Sequence, residues 1–163
     1  MTLRFPSVAT PPLPGPAREE ADRAMKNDIF ISYASNDMAA AEAIVAALEA
    51  SNLPCFMAPR DIPAGMDRAA AIIDAIFETR LFLLIHSVHA NRSPQMAREL
   101  RLVHDRHIGV FPVRLDDSPA HANIEFFLRR QDAFRAIPLQ AHLPCLLAAV
   151  QARLGDQALR RPA

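Results

Sequence analysis

The sequence is poor in several residue types that mark specialised protein classes. Its 163 residues include no tryptophan, one tyrosine, four glycines and two cysteines. So few glycines leave no glycine-rich loop that could cradle a phosphate, which argues against P-loop and Rossmann binding modes. Cys55 and Cys145 form no CxxC pair and lie in apolar segments. We therefore expect both to be small buried residues of a protein from a reducing compartment.

The sequence also has no excess of charge and no long apolar run. Eighteen basic and eighteen acidic side chains cancel, which gives no electrostatic reason to expect nucleic acid or an anionic membrane as a partner. The longest apolar stretches, such as Leu81–Ile85, are far too short to cross a bilayer. The amino terminus lacks the apolar core of a signal peptide. These features predict a cytoplasmic protein with one domain.

The first 25 residues differ from the rest because they are rich in proline. Five prolines fall between Pro6 and Pro16, and no helical or strand period survives among them. We expect residues 1–25 to be a flexible leader, or upstream sequence before a start at Met25. The predicted domain then covers residues 26–155, and residues 156–163 form a C-terminal tail.

From Asp28 onward, short apolar runs alternate with helical patterns, which predicts a doubly wound α/β fold with five parallel strands. Pro112 places the fourth strand near the sheet edge. The second helix is expected to bury Ile72, Ile73, Ile76 and Phe77. The predicted strands are Ile29–Ile31, Pro54–Met57, Leu81–Ile85, Ile108–Leu115 and Phe134–Ile137, and the predicted helices are Met38–Ser51, Asp67–Glu78, Pro94–Asp105, Ile124–Leu128 and His142–Leu154.

Five motifs occur along this alternation in a recognisable order. They read FISYASND, APRDIPAG, LFLLIHS, SPQMAREL and GVFPVRL. In this order they resemble the Toll/interleukin-1 receptor (TIR) domain, in its bacterial form, over roughly Lys26 to Leu154. The resemblance implies a flavodoxin-like sheet of order 2-1-3-4-5 and a proline-glycine loop used for assembly. It also implies an activity, because many bacterial members hydrolyse or cyclise NAD.

A sheet of this order has its topological switch point between strands one and three, and ligands bind at the carboxyl ends of the strands there. We therefore expect Tyr33, Ser35 and Ser87 to line a nucleotide crevice, together with Ile62 and Gln95. Tyr33 has an alternative role as a strand-end aromatic that packs on the first helix. Asp37 is better explained as the N-cap of that helix.

The resemblance matches Glu99 to the catalytic glutamate of the family. Glu99 lies less than two turns into the third helix, after the N-cap Ser93, so the helix dipole should keep its carboxylate ionised. Cleaving the nicotinamide–ribose bond of NAD+ builds an oxocarbenium-like cation, which a carboxylate stabilises. Nicotinamide leaves from a cationic nitrogen, so no general acid is required. NAD+ is then a substrate, and no cofactor is expected. The alternative is a solvated helix glutamate.

The resemblance implies that the loop around APRDIPAG mediates self-association by contacting a neighbouring subunit. Its predicted contact residues are Pro59, Arg60, Asp61, Pro63 and Gly65. Arg60 and Asp61 have an alternative role as an exposed ion pair, and Gly65 serves the backbone geometry before the second helix.

Two functions therefore follow from the resemblance. The first is an NAD+ nucleosidase that acts in bacterial antiviral defence, as a signalling or NAD-depleting component with a separately encoded sensor or effector. The second is a non-enzymatic adaptor or host-signalling mimic that acts by TIR–TIR contact. The second function is favoured by Gln95 and Met96, which occupy positions where the family often has Trp-Cys.

A four-histidine metal site is rejected, because a helix of about 18 Å separates His86 and His89 from His104 and His107.

Overall fold

The centre of the protein is a five-stranded parallel sheet, described by a computed structural model over residues 27–129 and 132–160. The predicted leader, residues 1–25, lies outside the described residues. The strand order is β2-β1-β3-β4-β5, as the resemblance implied. Ile29 pairs with Cys55 on one side and with Leu81 on the other. The strands are β1 (Ile29–Ser32), β2 (Cys55–Met57), β3 (Leu81–His86), β4 (Gly109–Arg114) and β5 (Phe134–Arg135).

In the described residues, five α-helices cover the two faces of the sheet. They are α1 (Met38–Glu49), α2 (Arg68–Glu78), α3 (Pro94–Asp105), α4 (Ala122–Leu128) and α5 (Leu139–Arg160). Helices α1 and α5 pack with alternate strand residues such as Ile31 and Leu83. Helices α2, α3 and α4 pack on the other face. The predicted doubly wound α/β fold is therefore confirmed.

A row of three phenylalanines crosses the sheet on the face of α2 and α3. Phe30 of β1 stacks against Phe56 of β2 and Phe82 of β3, with ring centroids 5.4 and 5.3 Å apart. The rings meet because these three residues are partners in the strand register. Every residue of β3 is buried, as expected of a central parallel strand covered on both faces.

Pro112 lies in β4, the strand next to the sheet edge, at a level that β5 does not reach. Leu115 donates its backbone N–H to His86 of β3, and Arg114 accepts from Ala136 on the other side. Alternation therefore turns Pro112 toward β5, whose pairing covers only Val113 and Arg114. The missing N–H removes no ladder hydrogen bond there.

Two predicted burials were wrong, and a third residue predicted to be buried, Ile73, is only half-buried. Phe77 is 42 % exposed, because α2 turns Ile72 and Ile76 inward and the next position faces outward. The Phe77 ring instead carries the Arg106 guanidinium at 3.9 Å. Cys145 is exposed, whereas Cys55 is buried as predicted.

The last helix is longer than its sequence pattern predicted. Helix α5 begins three residues before His142 and continues through Arg160, with Pro144 inside it. Residues 156–160 of the predicted tail are therefore helical. Among the described residues, no helix combines the length and apolarity needed to cross a membrane.

Candidate functional site

A compartment of about 210 Å³ opens at the carboxyl end of β1. The end of β1 and the loop after it, the loop after β2, the start of α2 and the first two turns of α3 form its walls. Its polar lining consists of Ser32, Tyr33, Ser35, Arg68, Gln95 and Glu99. We call this space the first compartment. Its position agrees with the rule that ligands of parallel sheets bind beyond the carboxyl ends of the strands.

Glu99 forms the buried wall of the first compartment. The residue is 5 % exposed, and both of its carboxylate oxygens accept hydrogen bonds. Ser32 Oγ donates to Oε2 at 2.6 Å, and Gln95 Nε2 donates to Oε1 at 2.9 Å. The carboxylate is therefore fixed in direction on both oxygens.

Burial raises the pKa of Glu99 above the ordinary glutamate range. The hydrogen bonds from Ser32 and Gln95 and the positive charge of Arg68 act in the opposite direction and hold the pKa down. The expectation from the helix dipole left out this burial, which opposes the ionised form of Glu99. Loss of hydration is the largest effect, because the carboxylate lies deep against the sheet rather than at the exposed helix end.

Helix α3 presents Glu99 to the compartment through a well-defined start. Ser93 caps the helix by accepting from the Met96 N–H at 3.3 Å, and Pro94 occupies the first turn. Gln95 and Glu99 are four residues apart and so share a face of the helix. The neighbouring face buries Met96, which is 1 % exposed, against the sheet.

Tyr33 joins the two loops that form the mouth of the compartment. Its hydroxyl donates to the Ala58 carbonyl at 2.5 Å. The ring also packs against the hydrophobic core on the side of α1. Burial raises the pKa of the Tyr33 phenol. Tyr33 therefore both lines the compartment and packs against the core, so its two predicted roles occur together.

Comparison with known proteins assigns the family. The sequence model described as the TIR domain matches residues 29–140, which is more than half of the chain. The chain belongs to the TIR-domain family. A search of curated proteins found no match.

Solved structures agree with this assignment at the level of the fold. The TIR domain of the Toll-related receptor TRR-2 from Hydra magnipapillata has a TM-score of 0.65 at 19% identity, covering 78% of this chain and 98% of that chain. A metazoan TIR-STING receptor from C. gigas, in complex with 2',3'-cGAMP, has a TM-score of 0.63 at 22% identity. That match covers 76% of this chain and 39% of the receptor.

Of the predicted site residues, this TIR domain brings Tyr33, Ser35, Gln95 and Glu99 together and leaves Ser87 and Ile62 outside the first compartment. Ile62 packs on the core under α2 and α3.

Ser87 is 2 % exposed and is used within the protein. Its hydroxyl donates to Asp37 Oδ2 at 2.5 Å and accepts from the backbone N–H groups of His89 and Ala90. Asp37 precedes α1 but makes no side-chain cap bond, so the predicted capping role was wrong. The carboxylate of Asp37 is engaged by Ser87 instead.

The predicted assembly loop is partly tied to its own subunit. Asp61 accepts from the Met57 N–H at 2.8 Å. Arg60 Nη2 lies 2.7 Å from carboxylate oxygens of both Glu49 and Asp61. Beyond these contacts, Pro63 and Gly65 are exposed. Gly65 has a φ of 82°, which confirms that a glycine serves the backbone geometry there.

Two polar residues of the first compartment, Ser32 and Arg68, were not among the predicted site residues. Ser32 is the last residue of β1, and its hydroxyl could have been noticed as the first polar group after the apolar run. Arg68 begins α2, after a loop whose path no sequence period specifies. The positive charge of Arg68 acts on both Glu99 and Tyr33. It partly offsets the rise in the pKa of each group that burial causes.

The histidines lie at opposite ends of the sheet, as their spacing predicted. His86 ends β3, and its Nε2 lies 3.2 Å from Asn91 Oδ1. His107 lies between α3 and the start of β4. Within the described ranges, no three histidine, cysteine or acidic side chains are grouped so that they could hold a metal ion.

Proposed function

We propose that this TIR domain is an NAD+ nucleosidase that cleaves the nicotinamide–ribose bond by hydrolysis or cyclisation. One observation supports this function above the others. A carboxylate, Glu99, lies in the wall of a compartment at the ligand-binding edge of the sheet, with both oxygens held by donors. The resemblance to the family's catalytic glutamate at Glu99 agrees with that geometry.

The proposed reaction needs only a negative charge at the ribose. The bond between C1′ and the nicotinamide nitrogen breaks, and its electron pair neutralises the pyridinium. Positive charge then develops on the ribose, as in glycoside hydrolysis. Glu99 stabilises this charge and accepts hydrogen bonds from the ribose hydroxyls. Water attacks C1′ and loses a proton to solvent, or a nitrogen of the adenine attacks C1′ and gives a cyclic product.

The chemistry requires Glu99 in its ionised form. Burial opposes this form, whereas the Ser32 and Gln95 donors favour it. The bound pyridinium would add a positive charge near the same carboxylate and favour ionisation further. We therefore expect activity to fall as the pH is lowered through the raised pKa of Glu99.

The biological setting is proposed from the family alone. TIR domains self-associate, and the loop containing Pro59, Arg60, Asp61, Pro63 and Gly65 is the proposed contact. The protein would act in the cytoplasm of a bacterium, in antiviral defence, either depleting NAD+ or producing a nucleotide signal. A separately encoded sensor or effector would be its partner.

The test is release of nicotinamide. Concentrated protein is incubated with NAD+, and nicotinamide is followed by chromatography for the wild type and for Glu99→Ala. The variant should lose at least about 100-fold in rate, the order seen when a charge-stabilising group is removed. Glu78→Ala, which changes an exposed glutamate at the end of α2, is the matched control. Equal rates for the wild type and Glu99→Ala would refute the mechanism.

A non-enzymatic adaptor is the second candidate, and one observation favours it. A carboxyl whose pKa is raised by burial is also suited to a neutral, structural role. In that case wild-type protein would release no nicotinamide even when light scattering shows that it has assembled. Substitutions in the Pro59–Gly65 loop would still abolish assembly.

A further inference from the structure

A second compartment continues from the first along the groove between α2 and α3. Its volume is about 450 Å³. It shares Arg68, Gln95 and Glu99 with the first compartment, so the two spaces meet at the proposed catalytic carboxylate. Its apolar lining includes Ile72, Ile73 and Leu102.

The first compartment is too small for a whole dinucleotide. Sites for ligands of this size usually enclose about 300–1,000 Å³, and the first compartment encloses about 210 Å³. It therefore fits a ribose and part of its base. The remainder of the substrate has to leave past the shared residues, and the groove between α2 and α3 is the adjoining space.

Two arginines flank this groove. Arg68 is the first residue of α2, and Arg98 belongs to the fifth position of α3. Arg98 lies on the compartment side of α3, because Gln95, Glu99 and Leu102 are one helical turn or less away and line the same space. Both arginines are exposed. In the part of the chain that the structure describes, neither forms an ion pair or a side-chain hydrogen bond.

The remaining charges of the groove leave these arginines available. Asp67 is engaged as the N-cap of α2 and accepts from the Ala70 N–H at 3.0 Å. Glu99 is engaged by Ser32 and Gln95. Two unpaired guanidinium groups beside an apolar wall suit a ligand with adjacent phosphates and a flat base, because guanidinium binds phosphate oxygens in a bidentate manner.

We infer that Arg68 and Arg98 bind the diphosphate of a nucleoside diphosphate moiety, whose base lies against Ile72, Ile73 and Leu102. This inference rests on the proposed function, since it places the ADP part of NAD+ in the space next to the ribose at Glu99. It assigns substrate recognition to Arg98, a residue with no part in bond cleavage.

Binding of ADP tests the inference without turnover. Isothermal titration measures ADP and adenosine binding to the wild-type chain, to Arg98→Gln, to Arg68→Gln and to the double variant. Loss of one charged contact should weaken ADP binding about tenfold, and loss of both should weaken it further. Adenosine binding should change by less than about twofold, because it lacks the phosphates. Arg101→Gln is the matched control, since Arg101 is exposed on α3 and lines neither compartment.

The outcomes separate this inference from the proposed function. If ADP binding needs both arginines but NAD+ releases no nicotinamide, the diphosphate site is supported and the nucleosidase activity is refuted. Nicotinamide release with an unchanged KM for NAD+ in the double variant would retain the nucleosidase and reject the diphosphate site. Equal weakening by Arg101→Gln and Arg98→Gln, or no ADP binding to the wild type, would also overturn the inference.

Discussion

Removing the Ser32 hydroxyl should change how the proposed activity depends on pH. Ser32 Oγ donates to Glu99 Oε2 at 2.6 Å in a buried setting, and this bond lowers the pKa of Glu99. In Ser32→Ala the pKa of Glu99 should therefore rise further above the ordinary glutamate range. The acidic limb of the rate profile should move to higher pH.

The size of the effect follows from the type of bond. A hydrogen bond to a charged group contributes about 1.5–3 kcal/mol, which corresponds to roughly 10- to 150-fold in an equilibrium constant. The rate of Ser32→Ala should fall by that factor on the acidic side of the profile, where protonation limits activity. The difference in rate between the wild type and Ser32→Ala should become smaller as the pH rises, because Glu99 then ionises in both proteins.

The assay is kcat/KM for nicotinamide release from NAD+ across the pH range, with assembly checked by light scattering. Ser51→Ala serves as the control, because Ser51 follows α1 and makes no side-chain hydrogen bond in the described residues. Its profile should match the wild type.

Two results would refute this reasoning. An acidic limb for Ser32→Ala that moves to lower pH would show that the Ser32 hydroxyl does not favour the ionised form of Glu99. A profile with an unchanged midpoint and a uniform loss of rate would show that Ser32 acts on substrate position rather than on the ionisation of Glu99.

Three further predictions concern the folded state. Since burial raises the pKa of Glu99, the wild type loses stability as the pH rises from the ordinary glutamate range through the raised value, and Glu99→Gln does not. Urea denaturation should therefore show Glu99→Gln more stable by about 1–3 kcal/mol at mildly alkaline pH, and no gain there would contradict the burial argument. Gly65→Ala should lower stability by about 1 kcal/mol through its positive φ alone, because an added Cβ meets nothing within 4 Å. A thermal midpoint equal to that of the wild type would exclude this strain. A thiol reagent should modify Cys145 quickly in the native protein and Cys55 only after denaturation, because burial raises the pKa of Cys55 to about 12; rapid reaction of both would be contrary to this structure.

The alternation of elements was readable from the sequence because the strands of a covered parallel sheet are apolar throughout. The run Leu81–Ile85 has no polar residue, and the structure buries all of it. The start of α3 was equally clear from Ser93 and Pro94. Counting residues from that cap predicted that Glu99 lies near the carboxyl ends of the strands, and the structure has it there.

Side-chain direction at the loops was not readable in the same way. Ser87 follows a central strand, as an expected pocket residue should, yet it turns toward Asp37. The periodicity of the sequence does not indicate that side-chain orientation. The role of Arg68 depends on the course of residues 58–67, which have no regular period. The contact of the outward Phe77 ring with the Arg106 guanidinium joins residues nearly thirty positions apart, and no local period indicates it.

The central claim is that an ionised Glu99 stabilises positive charge on a ribose. The most direct measurement is the rate of nicotinamide release at saturating NAD+ by assembled wild type and by Glu99→Gln, which keeps the size of the side chain and removes its charge. Glu99→Gln should retain at most about one hundredth of the wild-type rate while remaining folded. Release at the wild-type rate by Glu99→Gln would contradict it.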